Sequence, residues 1–198
     1  MEAWDWTLVG KIAWVIFILI WGGIRWRPNV RARRNPIKTS HRSMKERVLL
    51  AISFAGLGLL PGIWVFSGFP DRYDHSAHPA VVIFGAILLV LCLVLFRLTH
   101  KALGVMWSNT LELRKGHKLI TTSVYERVRH PMYSAFWLWA VAQPFVLANW
   151  IAGFSGIVGF GLLYFLRVGD EEKVMEKEFG EEYEIYKQQT KRIIPGIY

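Results

Sequence analysis

Five stretches of this 198-residue chain are apolar with no alternating pattern: residues 6–24, 48–66, 80–96, 132–148 and 151–166. Residues 80–96 read AVVIFGAILLVLCLVLF, with no charged or strongly polar side chain. At roughly 1.5 Å per residue, a helix of that length nearly crosses the roughly 30 Å hydrocarbon layer. Backbone polar groups in lipid are satisfied only in helices or closed barrels, and barrel strands would alternate. The pattern therefore predicts an all-α, polytopic membrane protein with five transmembrane helices. The first run lacks the early basic region and small-residue cleavage site of a signal peptide. A single domain over 1–198 is expected, with no internal repeat. Only a very short link around Asn149 and Trp150 separates the last two runs, which predicts a tight antiparallel hairpin. Pro61 and Pro144 are expected to kink the second and fourth helices.

The formal charge is +9, which admits a nucleic-acid or a membrane-surface partner until its distribution is read. Residues 25–47 hold nine Lys/Arg against the single acid Glu46, and residues 97–129 hold seven against Glu112 and Glu126. The connection at 67–79 and the N-terminus are slightly acidic. Basic loops stay cytoplasmic, which predicts a cell-membrane protein with its N-terminus outside and its C-terminus inside. No nucleic-acid recognition module accompanies the charge, so the lipid bilayer is the expected partner and nucleic acid is not. Trp4, Trp6, Trp26 and Trp150 suit interfacial anchoring, while Trp107, Trp137 and Trp139 need another account.

Weaker motifs add little. Gly56-x-Gly58-x-x-x-Gly62 has no preceding strand and lies inside an apolar run, so it is no nucleotide loop. His75 and His78 have no Cys, Glu or third His nearby, and no metal is expected. Gly153, Gly156, Gly159 and Gly161 thin one side of the fifth run and are expected to let helices approach closely. Cys92 is the only cysteine and lies in an apolar run, which excludes a disulfide scaffold.

Polar chemistry enters after residue 102. Residues 116–125 read GHKLITTSVY, and Arg129-His130-Pro131-Met132-Tyr133 opens the fourth apolar run. Pro131 suits the first turn of that helix. By periodicity alone, His130 and Tyr133 read as interfacial anchors. Arg167 and Glu171 close the fifth run four residues apart, where an ion pair is the simple expectation. Asp170 and Glu172 suit the start of a following cytoplasmic amphipathic helix. Met175, Phe179, Tyr183 and Tyr186 would pack that helix onto the span ends. The short hairpin makes the two polar clusters neighbours, and converging ionisable groups at a membrane face are a candidate site.

The ordered series His117-x-Leu119-Ile120-Thr121-Thr122-x-x-Tyr125, Arg129-His130-Pro131-x-Tyr133 and Arg167-x-x-x-Glu171-Glu172 resembles the isoprenylcysteine carboxyl methyltransferase family. The ending Phe179-Gly180-x-x-Tyr183-x-x-Tyr186, then Ile194-Pro195, is similar as well, and the five-span length resembles small prokaryotic members. The resemblance places the cofactor and catalytic half at about 102–195. It implies S-adenosylmethionine bound without a Rossmann domain by His117, Lys118, Leu119, Ile120, Tyr125, His130, Pro131, Met132, Tyr133 and Glu171. It also implies that Arg167 faces the substrate carboxylate, with Arg167 and Glu171 as the catalytic pair. The acceptor it implies is a prenylated cysteine or another lipid-like acid. One departure is Ser123, where the family usually has Gly; if that position needs a positive φ, Ser is strained there. Three readings stand beside this one. They are methylation of a phospholipid amine or small thiol with His130 as base, an NADPH-dependent sterol-type reductase, and a non-catalytic membrane scaffold.

Overall fold

The computed structural model describes residues 4–33, 37–40, 43–106, 112–114 and 118–198. Its elements are α1 (Trp6–Arg33), β1 (Ile37–Ser40), α2 (Met44–Phe54), α3 (Leu60–Ser67), α4 (Pro79–Leu103), β2 (Glu112–Arg114), α5 (Pro131–Val146), α6 (Trp150–Phe179) and α7 (Glu181–Gln189). Among the described residues, four helices are long and apolar enough to cross a membrane: Trp6–Trp26, Met44–Ser67, Pro79–Leu103 and Trp150–Phe179. The fourth apolar run does become a helix, but α5 has 16 residues and so measures about 24 Å. It packs against both α4 and α6.

Local chemistry sets the helix ends. Asp5 accepts from the backbone N–H groups of Thr7 and Leu8 and starts α1. Ser43 caps α2 by accepting from the Glu46 N–H at 3.1 Å. Between α2 and α3 the chain widens into one π turn, Ala55–Leu59, where the Leu60 N–H reaches the Ala55 carbonyl. Pro61 follows directly and can donate nothing, so the irregularity expected there takes the form of a π bulge. Pro131 takes the first turn of α5, as expected. Asn149 forms the tight link to α6: its Oδ1 accepts from Ala152 N–H at 2.9 Å, and its Nδ2 donates to Pro70 O and Asp74 Oδ1. Asp74 Oδ1 also accepts from Trp64 Nε1 at 2.6 Å. One buried asparagine thus pins the ends of α3, α5 and α6 together, away from the polar clusters.

Three expectations need correction. The protein is helical, but β1 and β2 form a small antiparallel ribbon with Ile37 opposite Arg114 and Ser40 opposite Glu112. No helix starts at Asp170 and Glu172: α6 runs through them, because Glu172 is neutralised by basic groups from elsewhere in the chain, as described below. The break comes at Gly180, whose φ of 53° only glycine adopts readily. It divides the expected aromatic stripe between α6 and α7.

The core is an aromatic and small-residue mesh between α1, α4, α5 and α6. Trp139 is buried against Phe17, Trp21 and Phe136, and Trp137 meets Phe160 and Tyr164 edge-on. These tryptophans are thus core residues; Trp107 lies outside the described residues. The glycines of α6 do bring helices close. A Cβ on Gly156 would overlap Gln143 Oε1 and lie 3.1 Å from Leu57, and one on Gly159 would lie 2.8 Å from the Ile52 carbonyl. Gly161 has more room, with Trp137 at 3.4 Å.

Gly156→Leu is therefore expected to destabilise the fold by about 1–3 kcal/mol through overpacking. Gly169→Ala, in the same helix with open space around it, should be neutral or slightly stabilising. Melting curves in one detergent check both.

Candidate active site

Arg129 and His130 end the loop before α5, and the C-terminal segment runs alongside them. Arg129 N–H donates to Lys191 O at 2.7 Å and His130 N–H to Arg192 O at 2.9 Å. Ser134 Oγ donates to Ile193 O at 2.7 Å. Beneath this seam lies Glu172, 4% exposed. It receives Arg129 Nη2 at 3.0 Å, Arg192 Nη2 at 2.8 Å and His130 Nε2 at 3.3 Å. Arg129 Nη1 also donates to the carbonyls of Lys187 and Thr190. A buried carboxylate is tolerable only with such pairing, because desolvation of the lone charge costs several kcal/mol. Its partners hold the loop, the start of α5 and the tail to α6.

Next to this hub, Glu171 Oε2 accepts from Tyr133 Oη at 2.5 Å, and Glu171 Oε1 lies 3.9 Å from His130 Nδ1. The His130 ring stacks on Tyr133, with centroids 5.3 Å apart. Arg167 does not take the expected i,i+4 partner. Its Nη2 reaches Glu46 Oε1 of α2 at 3.2 Å, and both side chains are buried. Arg167 Nε is buried with no hydrogen-bond partner among the described residues.

Of these groups, Arg129, His130, Tyr133, Arg167 and Glu171 line one cavity of about 1260 Å³. Lys118, Leu119, Ile120, Tyr125, His130, Met132, Tyr133, Arg167 and Glu171 all face it. Pro131 does not; it is buried as the first residue of α5. His117 lies outside the described residues. From the charged end the cavity continues between α1 and α2–α3, past Trp14, Leu57, Gly58, Gly62 and Phe66. Met175, Tyr183 and Tyr186 also line it, so the tail's aromatic stripe closes the cavity at its charged end. Tyr186 Oη donates to Tyr125 O at 2.6 Å. Burial, then the nearby Glu171 carboxylate, raises the Tyr125 phenol well above its ordinary value, and burial pushes Tyr186 up to about 12. Both remain neutral hydrogen-bonding groups across the physiological range.

Ser123, at the head of the turn that carries Tyr125, has φ 63°. Its N–H donates to Glu126 Oε1 at 3.2 Å. The left-handed conformation anticipated at this position is therefore present, occupied by a residue with a Cβ.

Sequence reasoning missed Glu46, Arg129 and Arg192. Glu46 did carry a signal, as the single acid among nine basic residues. Arg129 stood in the family motif without being assigned a role, and Arg192 carried no signal beyond ordinary positive charge.

A helical integral membrane protein with charged groups converging on a cavity that runs on among its apolar helices has the architecture of a membrane-embedded enzyme. A family model described as the isoprenylcysteine carboxyl methyltransferase (ICMT) family matches residues 79–177, from α4 through most of α6. The chain is 30% identical over 167 residues to a probable protein-S-isoprenylcysteine O-methyltransferase of Oryza sativa subsp. indica, covering 83% of this chain and 84% of the relative. It is 26% identical over 174 residues to the protein-S-isoprenylcysteine O-methyltransferase of Saccharomyces cerevisiae, covering 85% and 73%. The solved structure of the eukaryotic intramembrane Ras methyltransferase ICMT superposes with a TM-score of 0.54 at 21% identity, covering 81% of this chain and 55% of that one. The chain thus spans just over half the length of that solved protein. It belongs to the isoprenylcysteine carboxyl methyltransferase family and is a membrane methyltransferase by that membership.

Two substitutions test the local geometry. Ser123→Gly is expected to fold as well as the parent or slightly better, since the left-handed conformation costs a non-glycine residue about 1–2 kcal/mol and glycine's looser unfolded state offsets part of the gain. Glu172→Gln, which strips the charge from the hub, is expected to cost about 3 kcal/mol or more. Melting temperature and protease resistance of the 118–130 loop check both.

Proposed function

We propose that this protein transfers a methyl group from S-adenosylmethionine to the C-terminal carboxylate of a prenylated cysteine or a similar lipid-like acid, giving a methyl ester. The observation that carries this reading is the continuity of the cavity, with charge at one end and apolar helix faces along the rest. An acceptor with an anionic head and a hydrocarbon tail matches both parts.

The residues present suit such a donor. Glu171 is a partly exposed carboxylate that accepts from the Tyr133 hydroxyl at the cavity wall, and its negative charge favours a cation. Glu171 would hold the donor's amino group, with Lys118, Leu119, Ile120, Tyr125, His130, Met132 and Tyr133 around it. His117 and Pro131 are assigned to the same pocket by family resemblance. Bound there, S-adenosylmethionine supplies an electrophilic methyl group on a positively charged sulfur. The protein's task is then positioning and exclusion of water. A C-terminal carboxylate has a pKa near 3.3–3.7 and is ionised already, so no general base is required. Arg167 can present a planar fork to that carboxylate, which lysine does less well. The prenyl chain would lie along the apolar part of the cavity.

In this reading α5 is a fifth, short span, and 1–198 form one methyltransferase unit with its chemistry at about 102–195. The basic segments leave the helix ends nearest the charged groups. Their charge supports a topology with the site and the C-terminus on the cytoplasmic face of the cell membrane and the N-terminus outside.

The test is transfer of labelled methyl to a farnesylcysteine analogue in membranes. A base-labile methyl ester should form, and Arg167→Ala and Glu171→Ala should each lower its rate by about a hundredfold or more, as loss of one partner of a close charged contact with a ligand does. Full activity in both variants would sink the site assignment, and a base-stable product would move the acceptor to an amine or thiol.

A further inference from the structure

Arg167 and Glu171 stand four residues apart on α6, a spacing at which an arginine and a glutamate on one helix pair with each other. The structure gives them different partners, Glu46 for Arg167 and Tyr133 for Glu171. Glu46 is well placed to compete. It sits in the first turn of α2, whose N-terminal dipole favours a carboxylate. The Ser43 cap holds that turn, and Glu46 is only 3% exposed. Leu50, Ser53 and Leu57 carry the same helix face along the cavity wall. Glu46 itself is not among the cavity-lining residues, so it stands behind the guanidinium.

We infer that Glu46 is a positioning residue that keeps the two halves of the site apart by holding Arg167 away from Glu171. This rests on the reading of Glu171 as the group that holds the donor's amino group and of Arg167 as the group that faces the acceptor's carboxylate. Were Arg167 released, its nearest alternative anion is Glu171, one turn along its own helix. That pairing would neutralise the carboxylate needed by the cationic donor and turn the guanidinium from the acceptor. Glu46 therefore controls donor affinity without touching the donor.

The experiment is equilibrium dialysis of S-adenosylmethionine against the full-length protein in detergent, with the acceptor's KM measured separately. Glu46→Gln is expected to weaken donor binding about tenfold, within the range for directly coupled groups, and to raise the acceptor's KM. Glu46→Asp keeps the charge and should bind donor within about threefold of the parent. The decisive variant is E46Q/R167M, which removes the released cation and should restore donor binding to within about threefold of the parent. A merely structural role for Glu46 predicts no such recovery, and the double variant still reports should the single one fold poorly. Parent-like donor binding in E46Q, or a double variant as weak as E46Q, would overturn the inference. Glu171→Gln separates the two levels. If it abolishes donor binding while E46Q leaves it intact, only the role of Glu46 is lost. If it leaves donor binding intact, the donor-site reading fails as well.

Discussion

The buried carboxylate of Glu172 is the constraint on which the working end of this protein depends. An unpaired charge at that depth would cost several kcal/mol, and the cost is met by two guanidiniums and an imidazole from separate parts of the chain. Each partner brings a segment with it. Arg129 brings the loop that carries Tyr125, His130 brings the start of α5, and Arg192 brings the tail that follows α7. The adjacent residue, Glu171, turns to the other side of the helix and faces the cavity. One carboxylate thus ties the surrounding segments together and its neighbour faces the cavity. Exchanging the two roles would require rotating α6 by about 100°, the angle between consecutive helical residues.

The far end is organised differently. There the polar requirement is met by Asn149, Asp74 and Trp64, and the tight helix contacts come from α6 glycines rather than from charge. Lipid supplies little hydrophobic force between helices, so close backbone approach has to provide the packing energy. Gly156 and Gly159 fill that role beside α2 and α5. With α6 fixed by packing at one end and by Glu172 at the other, α5 and α2 are set against it, which places His130, Tyr133 and Glu46 around Arg167 and Glu171.

Much of this was legible in the chain because the signals were local. Apolar runs, a proline at a helix start and a hairpin with almost no link each follow from neighbouring residues, while the left-handed position at Ser123 was raised by the resemblance alone. Nine of the eleven anticipated site residues share one cavity, and that grouping came from family motifs rather than from periodicity. What stayed hidden was pairing across distance. Arg167 and Glu171 look like a helical ion pair until a glutamate 121 residues earlier takes the arginine. Asp170 and Glu172 look like the start of a helix until basic groups from a loop and a tail neutralise Glu172. The β1–β2 ribbon is three or four residues on each strand, too short to give an alternating pattern. Gly180 was visible, but a continuous aromatic spacing of four, four and three read through it.

The shortness of α5 has a consequence for the membrane itself. Asn149 and the bond from His75 N–H to Ala148 O hold the far end of α5 level with its neighbours. Taken as the proposed fifth span, α5 is about 6 Å shorter than a 30 Å hydrocarbon layer, and this anchoring would put the shortfall at the His130 end. On the proposed topology the charged groups would lie below the level of the surrounding headgroups, within reach of a lipid chain that stays in the bilayer. Their depth would vary with bilayer thickness. On the proposed function, the lipid composition around the protein would then be part of the geometry that brings the reacting groups together.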